Sequence, residues 1–161
     1  MKFFSPVLAG IMLARGSPVH AQTSDSIGAA VAAAQAAAGA WLGLVDGARY
    51  HESWDSAASY FRSAVTKPDW EDAVRKARRP FEPLGARTLL GASFQTKLPN
   101  APPGEYVVLQ YRTQAAGRKV VIETVTPMED KDGTWRVSGY YSGWSSAVPP
   151  SRGLARPGPQ C

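Results

Sequence analysis

An α+β fold, with N-terminal helices packed on one face of a four-stranded antiparallel sheet, follows from three features of the sequence. Apolar residues recur at helical spacing through the first half. The second half changes to runs rich in β-branched and aromatic residues, and the turns between those runs are too short for parallel crossovers. Helices first and a meander afterwards place the helices on one side of a single sheet. The chain has 161 residues, 44% of them hydrophobic, and one cysteine. That length suits one domain, the apolar fraction is too high for a wholly disordered chain, and a single cysteine excludes an internal disulfide.

Residues 1–21 read as a secretory signal: Met1-Lys2 gives a positive start, Phe3 to Leu13 is mostly apolar, and Val19-His20-Ala21 offers a small-x-small cleavage pattern. The expected address is periplasmic or secreted. No cysteine lies near the cleavage position, so lipid attachment there is excluded chemically, and no apolar run is read as long enough to span a bilayer. Losing Lys2 and Arg15 lowers the formal charge of +5 by two, which makes the basic balance unremarkable and gives little support for nucleic-acid binding. Residues 22–144 are expected to form a single α+β domain. Residues 145–161, rich in proline and glycine, have no core-forming pattern and are expected to be a disordered tail.

The first helix is expected over residues 24–46, where Ile27, Val31, Ala34, Ala38, Trp41, Leu42 and Val45 lie at helical spacing. An unstructured alanine tract before about residue 36 is the alternative. Tyr50, Trp54, Ala57, Phe61 and Val65 predict a second helix with one aromatic face. Thr66-Lys67-Pro68-Asp69 has the form of a helix start, and the helix it opens buries Trp70, Val74, Ala77 and Phe81. Strands are expected over residues 87–98, 105–113, 118–126 and 134–141. Strict alternation puts Val107, Leu109 and Tyr111 on one face and Tyr106, Gln110 and Arg112 on the other. In the fourth strand it puts Trp135, Val137 and Tyr141 opposite Arg136, Ser138 and Tyr140. The third strand carries apolar residues on both sides, which predicts a central position and either a pocket or a dimer surface.

Several phrases resemble a known family: Trp41-Leu42-Gly43-Leu44-Val45-Asp46, Ser53-Trp54, Gly104-Glu105-Tyr106-Val107-Val108, Glu123-Thr124-Val125-Thr126 and Asp132-Gly133-Thr134-Trp135 through Tyr141. They are similar to the secreted bacterial family called domain of unknown function 4019. The resemblance implies a compact exported domain, cystatin-like or nuclear-transport-factor-2-like in style, and implies no activity. Asn100 stands where the family has glycine after the proline. Asparagine tolerates the left-handed backbone, so the turn is expected to survive.

The chemistry-bearing residues are few. His51 is the only histidine after the signal, and no metal-ligand, phosphate-loop or dinucleotide pattern is present, so no cofactor and no metal are expected. The basic run Arg75, Lys76, Arg78 and Arg79 follows Glu71 and Asp72 at i,i+4 spacing and reads as a solvated helix end that matches the macrodipole. Glu123, set among Val121, Ile122 and Val125, must be solvated, paired or neutralised. Its structural reading pairs it with Arg79, Arg87 or Arg136. Its functional reading makes it a polar anchor or general base in a helix–sheet cavity lined by Tyr50, Trp54 and Tyr111. Tyr106, Gln110 and Tyr140 form a candidate contact patch on the open sheet face. The function expected is a non-enzymatic binding or protein-interaction module, with an unknown protein or small ligand as partner and a homodimer as one form. The alternative is a small-ligand receptor or enzyme using Glu123.

Overall fold

The computed structural model describes residues 19–145, so the signal expected over residues 1–21 and the tail expected over residues 145–161 lie almost wholly outside the described residues. Four helices precede four strands: α1 (Val19–Asp46), α2 (Tyr50–Asp55), α3 (Ser59–Ala64), α4 (Lys67–Arg78), β1 (Arg87–Gln95), β2 (Tyr106–Gln114), β3 (Val120–Glu129) and β4 (Trp135–Trp144). The strands pair antiparallel in the order β1-β2-β3-β4. This is the expected α+β arrangement, with the helices over one face of an open sheet.

The alanine-rich segment is helical, as its propensity dictates. Its C-terminal half buries Ala34, Ala38, Trp41, Leu42 and Val45 against the sheet. By length and composition alone, Ser24–Asp46 would pass as a membrane span, with a mean hydropathy of 1.5. That corrects the reading that no run is long enough. Alanine supplies the hydropathy, and the half carrying bulky residues is a core helix of this domain.

The second expected helix is two short ones. Between α2 and α3 the chain turns so that Ala57 and Ala58 are fully buried, and the Ala58 N–H donates to Val137 O on β4. Asp130, from the turn after β3, accepts from the backbone N–H and hydroxyl of Ser59 and so caps α3 from a distance. Trp41 and Trp70 meet with ring centroids 5.5 Å apart, and buried Ser53 accepts from both indoles, through its carbonyl and its hydroxyl. Neither indole N–H is left unpaired in the core. Thr66 caps α4 as expected, its hydroxyl accepting from Asp69 N. The buried stripe of α4 is Trp70, Val74 and Arg78; Ala77 is exposed.

β3 lies inside the sheet but alternates. Val121, Glu123, Val125 and Pro127 are buried beneath the helices, whereas Val120, Ile122, Thr124 and Thr126 are half-buried. The expectation of a strand greasy on both sides is therefore half met. Two β-bulges change the faces of the outer strands. Leu90 is an extra residue in β1 and Ser138 an extra residue in β4. One inserted residue flips every side chain beyond it. Val137 and Tyr140 thus both face the helices, and Tyr141 points away with 70% of its surface exposed. The turn at Asn100 has φ 59, the left-handed geometry expected there.

Candidate functional site

The largest concentration of ionisable side chains on the helical side forms where the ends of α1 and α4 meet β1, β2 and β3. Asp46 ends α1, a position where an acid is disfavoured by the helix dipole and needs a cation. Arg78 ends α4, and the four-residue spacing from Trp70 and Val74 turns its side chain inward until only 3% remains exposed. Arg87 opens β1 and faces the same way as Thr113 and Glu123.

Glu123 has no exposed surface. Its Oε2 accepts from Arg87 Nε at 2.6 Å and from the Thr113 hydroxyl at 2.5 Å. Its Oε1 accepts from the Tyr140 hydroxyl at 2.6 Å, from Arg87 Nη2 at 3.2 Å and more loosely from Arg78 Nη1 at 3.5 Å. Asp46 closes the cluster, accepting from Arg78 Nη2 at 2.6 Å and from Arg87 Nη2 at 2.8 Å. Two guanidinium groups and two carboxylates balance in charge. Arg78 Nε alone lacks a hydrogen bond; Glu82 Oε1 stands 3.9 Å away.

Burial by itself would raise the Glu123 pKa, but the hydrogen bonds from Arg87, Thr113 and Tyr140 and the Arg87 charge outweigh it and hold the carboxyl below its ordinary range. Asp46 is lowered in the same way, burial being overcome by Arg87 and then Arg78. Burial, followed by the Glu123 charge, pushes the Tyr140 hydroxyl up, so it stays a donor. A carboxylate with every lone pair engaged is a poor proton acceptor, and Glu123 lines none of the principal surface concavities of the described residues. The arrangement can tie α1, α4 and all four strands together. It offers no reacting atom.

The residues read as a cavity set share one apolar core but do not converge on Glu123. Tyr111 is the cross-strand neighbour of Glu123, but Tyr50, Trp54 and Tyr111 make no hydrogen bond to it. Tyr50 packs in the core beneath Arg75, whose guanidinium lies 5.6 Å from the ring centroid. Trp54 donates to Val65 O. The patch of Tyr106, Gln110 and Tyr140 does not exist as a surface. Tyr106 is 1% exposed, packed with Ala58 and Met128 and donating to Pro102 O. Tyr140 is turned inward by the Ser138 bulge, and only Gln110 remains exposed. Of the arginines expected to pair with Glu123, Arg87 does so. The other is Arg78 rather than Arg79, so Arg78 leaves the solvated basic run, and Arg136 instead grips Asp132 at 2.7 and 2.8 Å. The signal for Arg78 was present in the Trp70, Val74, Arg78 spacing. Among the described residues no three His, Cys, Asp or Glu side chains are grouped to hold a metal.

The opposite face of the sheet is open except at its Tyr106–Met128 end, against which Tyr60, Leu98 and Ala101 pack. Across its middle run Gly91, Gln110, Thr124 and Tyr141, cross-strand neighbours in register. At one end the β2–β3 turn, which contains a short 3-10 segment (Ala116–Arg118), overhangs a concavity of about 740 Å³. Thr88, Leu90, Arg112, Gln114, Arg118 and Lys119 line it. Gly117 (φ 67) and Arg118 (φ 60) both take the left-handed backbone there, natural for the glycine and strained for the arginine.

The matched family model is described as protein of unknown function (DUF4019) and covers residues 37–140, a span that includes every residue of the Glu123 cluster and of the opposite concavity. No curated protein and no solved structure matches the chain.

Proposed function

The chain belongs to the DUF4019 family, and for this member we propose an exported, non-enzymatic binding module that recognises its partner through the uncovered face of its sheet. One observation carries the reading. The buried ionisable side chains on the helical side are consumed by one another, Glu123 accepting from Arg87, Thr113 and Tyr140, while the other face presents Tyr141, Gln110 and Leu90 without cover. Exposed apolar and aromatic groups set among polar ones are typical of recognition surfaces. Export is supported by the apolar stretch behind Lys2 and the cleavage pattern at Ala21.

Site-specific photo-crosslinking tests this in living cells. A benzophenone side chain at position 141 or 124 is expected to give discrete adducts. The same group at position 62 or 72, on the exposed side of the helices, is expected to give none. Adducts confined to the helical side would overturn the reading.

A further inference from the structure

The concavity beside the β2–β3 turn holds three cations and no acid. Arg112, Arg118 and Lys119 all line it, and none of the three makes an ion pair or a side-chain hydrogen bond among the described residues; Lys119 only lies 5.0 Å from the Trp144 ring centroid. All thirteen acidic residues of the chain are among the described ones, and Glu105 is the sole acid between Glu82 and Glu123. The segments outside the described residues therefore have no carboxylate side chain to offer. Elsewhere Arg49, Lys67, Arg75, Arg78, Arg87 and Arg136 each meet a carboxylate. Like charges gathered without a counterion repel, and in a concave site the field they produce is focused rather than dispersed.

We propose that this concavity binds a phosphoryl-type oxyanion carrying at least two negative charges. Two guanidinium forks match the geometry of phosphate oxygens, and Lys119 adds a point charge. Thr88 and Gln114 supply neutral donors from β1 and β2, and Leu90 gives an apolar wall for whatever carries the anion. The volume is that of a small-molecule site. The strained backbone at Arg118 holds its side chain at the rim of the concavity without a partner among the described residues to reward it, as is found where strain serves a site. This assignment rests on the open face being the recognition surface and names the ligand class it takes at one end.

Calorimetric titration of the full chain with inorganic pyrophosphate at low salt, beside flotation with phosphatidylcholine vesicles with and without phosphatidic acid, tests it. Saturable pyrophosphate binding, weakened about tenfold by Arg112→Gln and by Arg118→Gly and unchanged by Lys97→Gln, supports a soluble ligand. The same pattern confined to phosphatidic acid vesicles supports a lipid headgroup. Thermal melts of each variant establish that the fold is kept, and Lys119→Gln serves as a further variant if Arg112→Gln unfolds. Binding to neither probe overturns the assignment, as does equal weakening by Lys97→Gln or binding to an oligonucleotide alone. Crosslinking at position 141 reads the wider face independently: adducts there with no pyrophosphate or headgroup binding refute this ligand and leave the face intact.

Discussion

Arg87 and Thr88 are neighbours in β1, and Arg112 and Thr113 are neighbours in β2, yet each pair is split between two electrostatic environments. Alternation sends Arg87 and Thr113 under the helices to Glu123, and sends Thr88 and Arg112 to the open concavity. On the inner side two carboxylates meet two guanidinium groups, and the hydroxyls of Thr113 and Tyr140 fill the remaining lone pairs. On the outer side three cations stand with no acid. The inner group is complete without a ligand; the outer group has no counter-charge among the residues that line it. The two groups differ in charge balance, although they are built from neighbouring residues of the same two strands.

The comparison is broken most easily by removing Glu123. Glu123→Ala leaves Arg87 and Arg78 charged and facing an empty site, so unfolding in urea, followed by tryptophan fluorescence, is expected to show a loss of about 3–5 kcal/mol. Arg112→Ala on the outer face is expected to change stability by no more than about 0.5 kcal/mol, because nothing among the described residues pairs with it. Comparable losses in the two variants would show that the outer cations are structural after all.

Acid sharpens the same contrast. Glu123 and Asp46 have folded-state pKa values below their unfolded ones, so the stability they supply is fully present above the ordinary carboxylate range, about pH 4, and is lost as pH falls through the lowered folded values. Tyr140 has the opposite sign. Its raised folded value gives stability that is present below about pH 10 and lost as pH rises further. A plot of unfolding free energy against pH should decline at both ends, and Glu123→Gln should flatten its acid limb if the variant folds. An unchanged acid limb would place the acid sensitivity elsewhere.

Tyr140→Phe is a smaller perturbation. It removes the hydrogen bond donated to Glu123 and the one accepted from Arg78 Nη1, while Arg87 and Thr113 still serve the carboxylate, and a loss of about 2 kcal/mol in the same urea experiment is expected. Had Tyr140 been on the open face, as strict alternation predicts, the loss would be near zero.

That misplacement shows what was legible. The α+β class, the strand order and the start of α4 follow from hydrophobic period and turn residues, which are local and strong. The facing of β1 and β4 does not, because a bulge is a single residue with little compositional mark: Ser138 is an ordinary serine whose hydroxyl donates to Thr126 O. The break between α2 and α3 is likewise tertiary, made by Ala58 docking on the β4 edge. Arg78 was readable from its spacing behind Trp70 and Val74 but was absorbed into a run of basic neighbours. The outer cations were readable too, as the hairpin register carries Arg112 back beside Arg118 and Lys119 through a stretch without a single acid.

Arg118→Gly gives the finest discrimination. A left-handed backbone costs a non-glycine residue about 1–2 kcal/mol, whereas glycine adopts it freely but loses more chain entropy on folding. The two effects oppose, and a net stabilisation of about 0.5 kcal/mol is expected, measurable as a small rise in thermal midpoint in phosphate-free buffer. The same variant is expected to weaken pyrophosphate binding. Stability and binding moving in opposite directions at one residue would mean that the guanidinium is kept for something outside the fold. If the midpoint fell instead, Arg118 would be stabilising the turn itself, and its strained backbone would no longer favour an anion over the protein as the partner it serves.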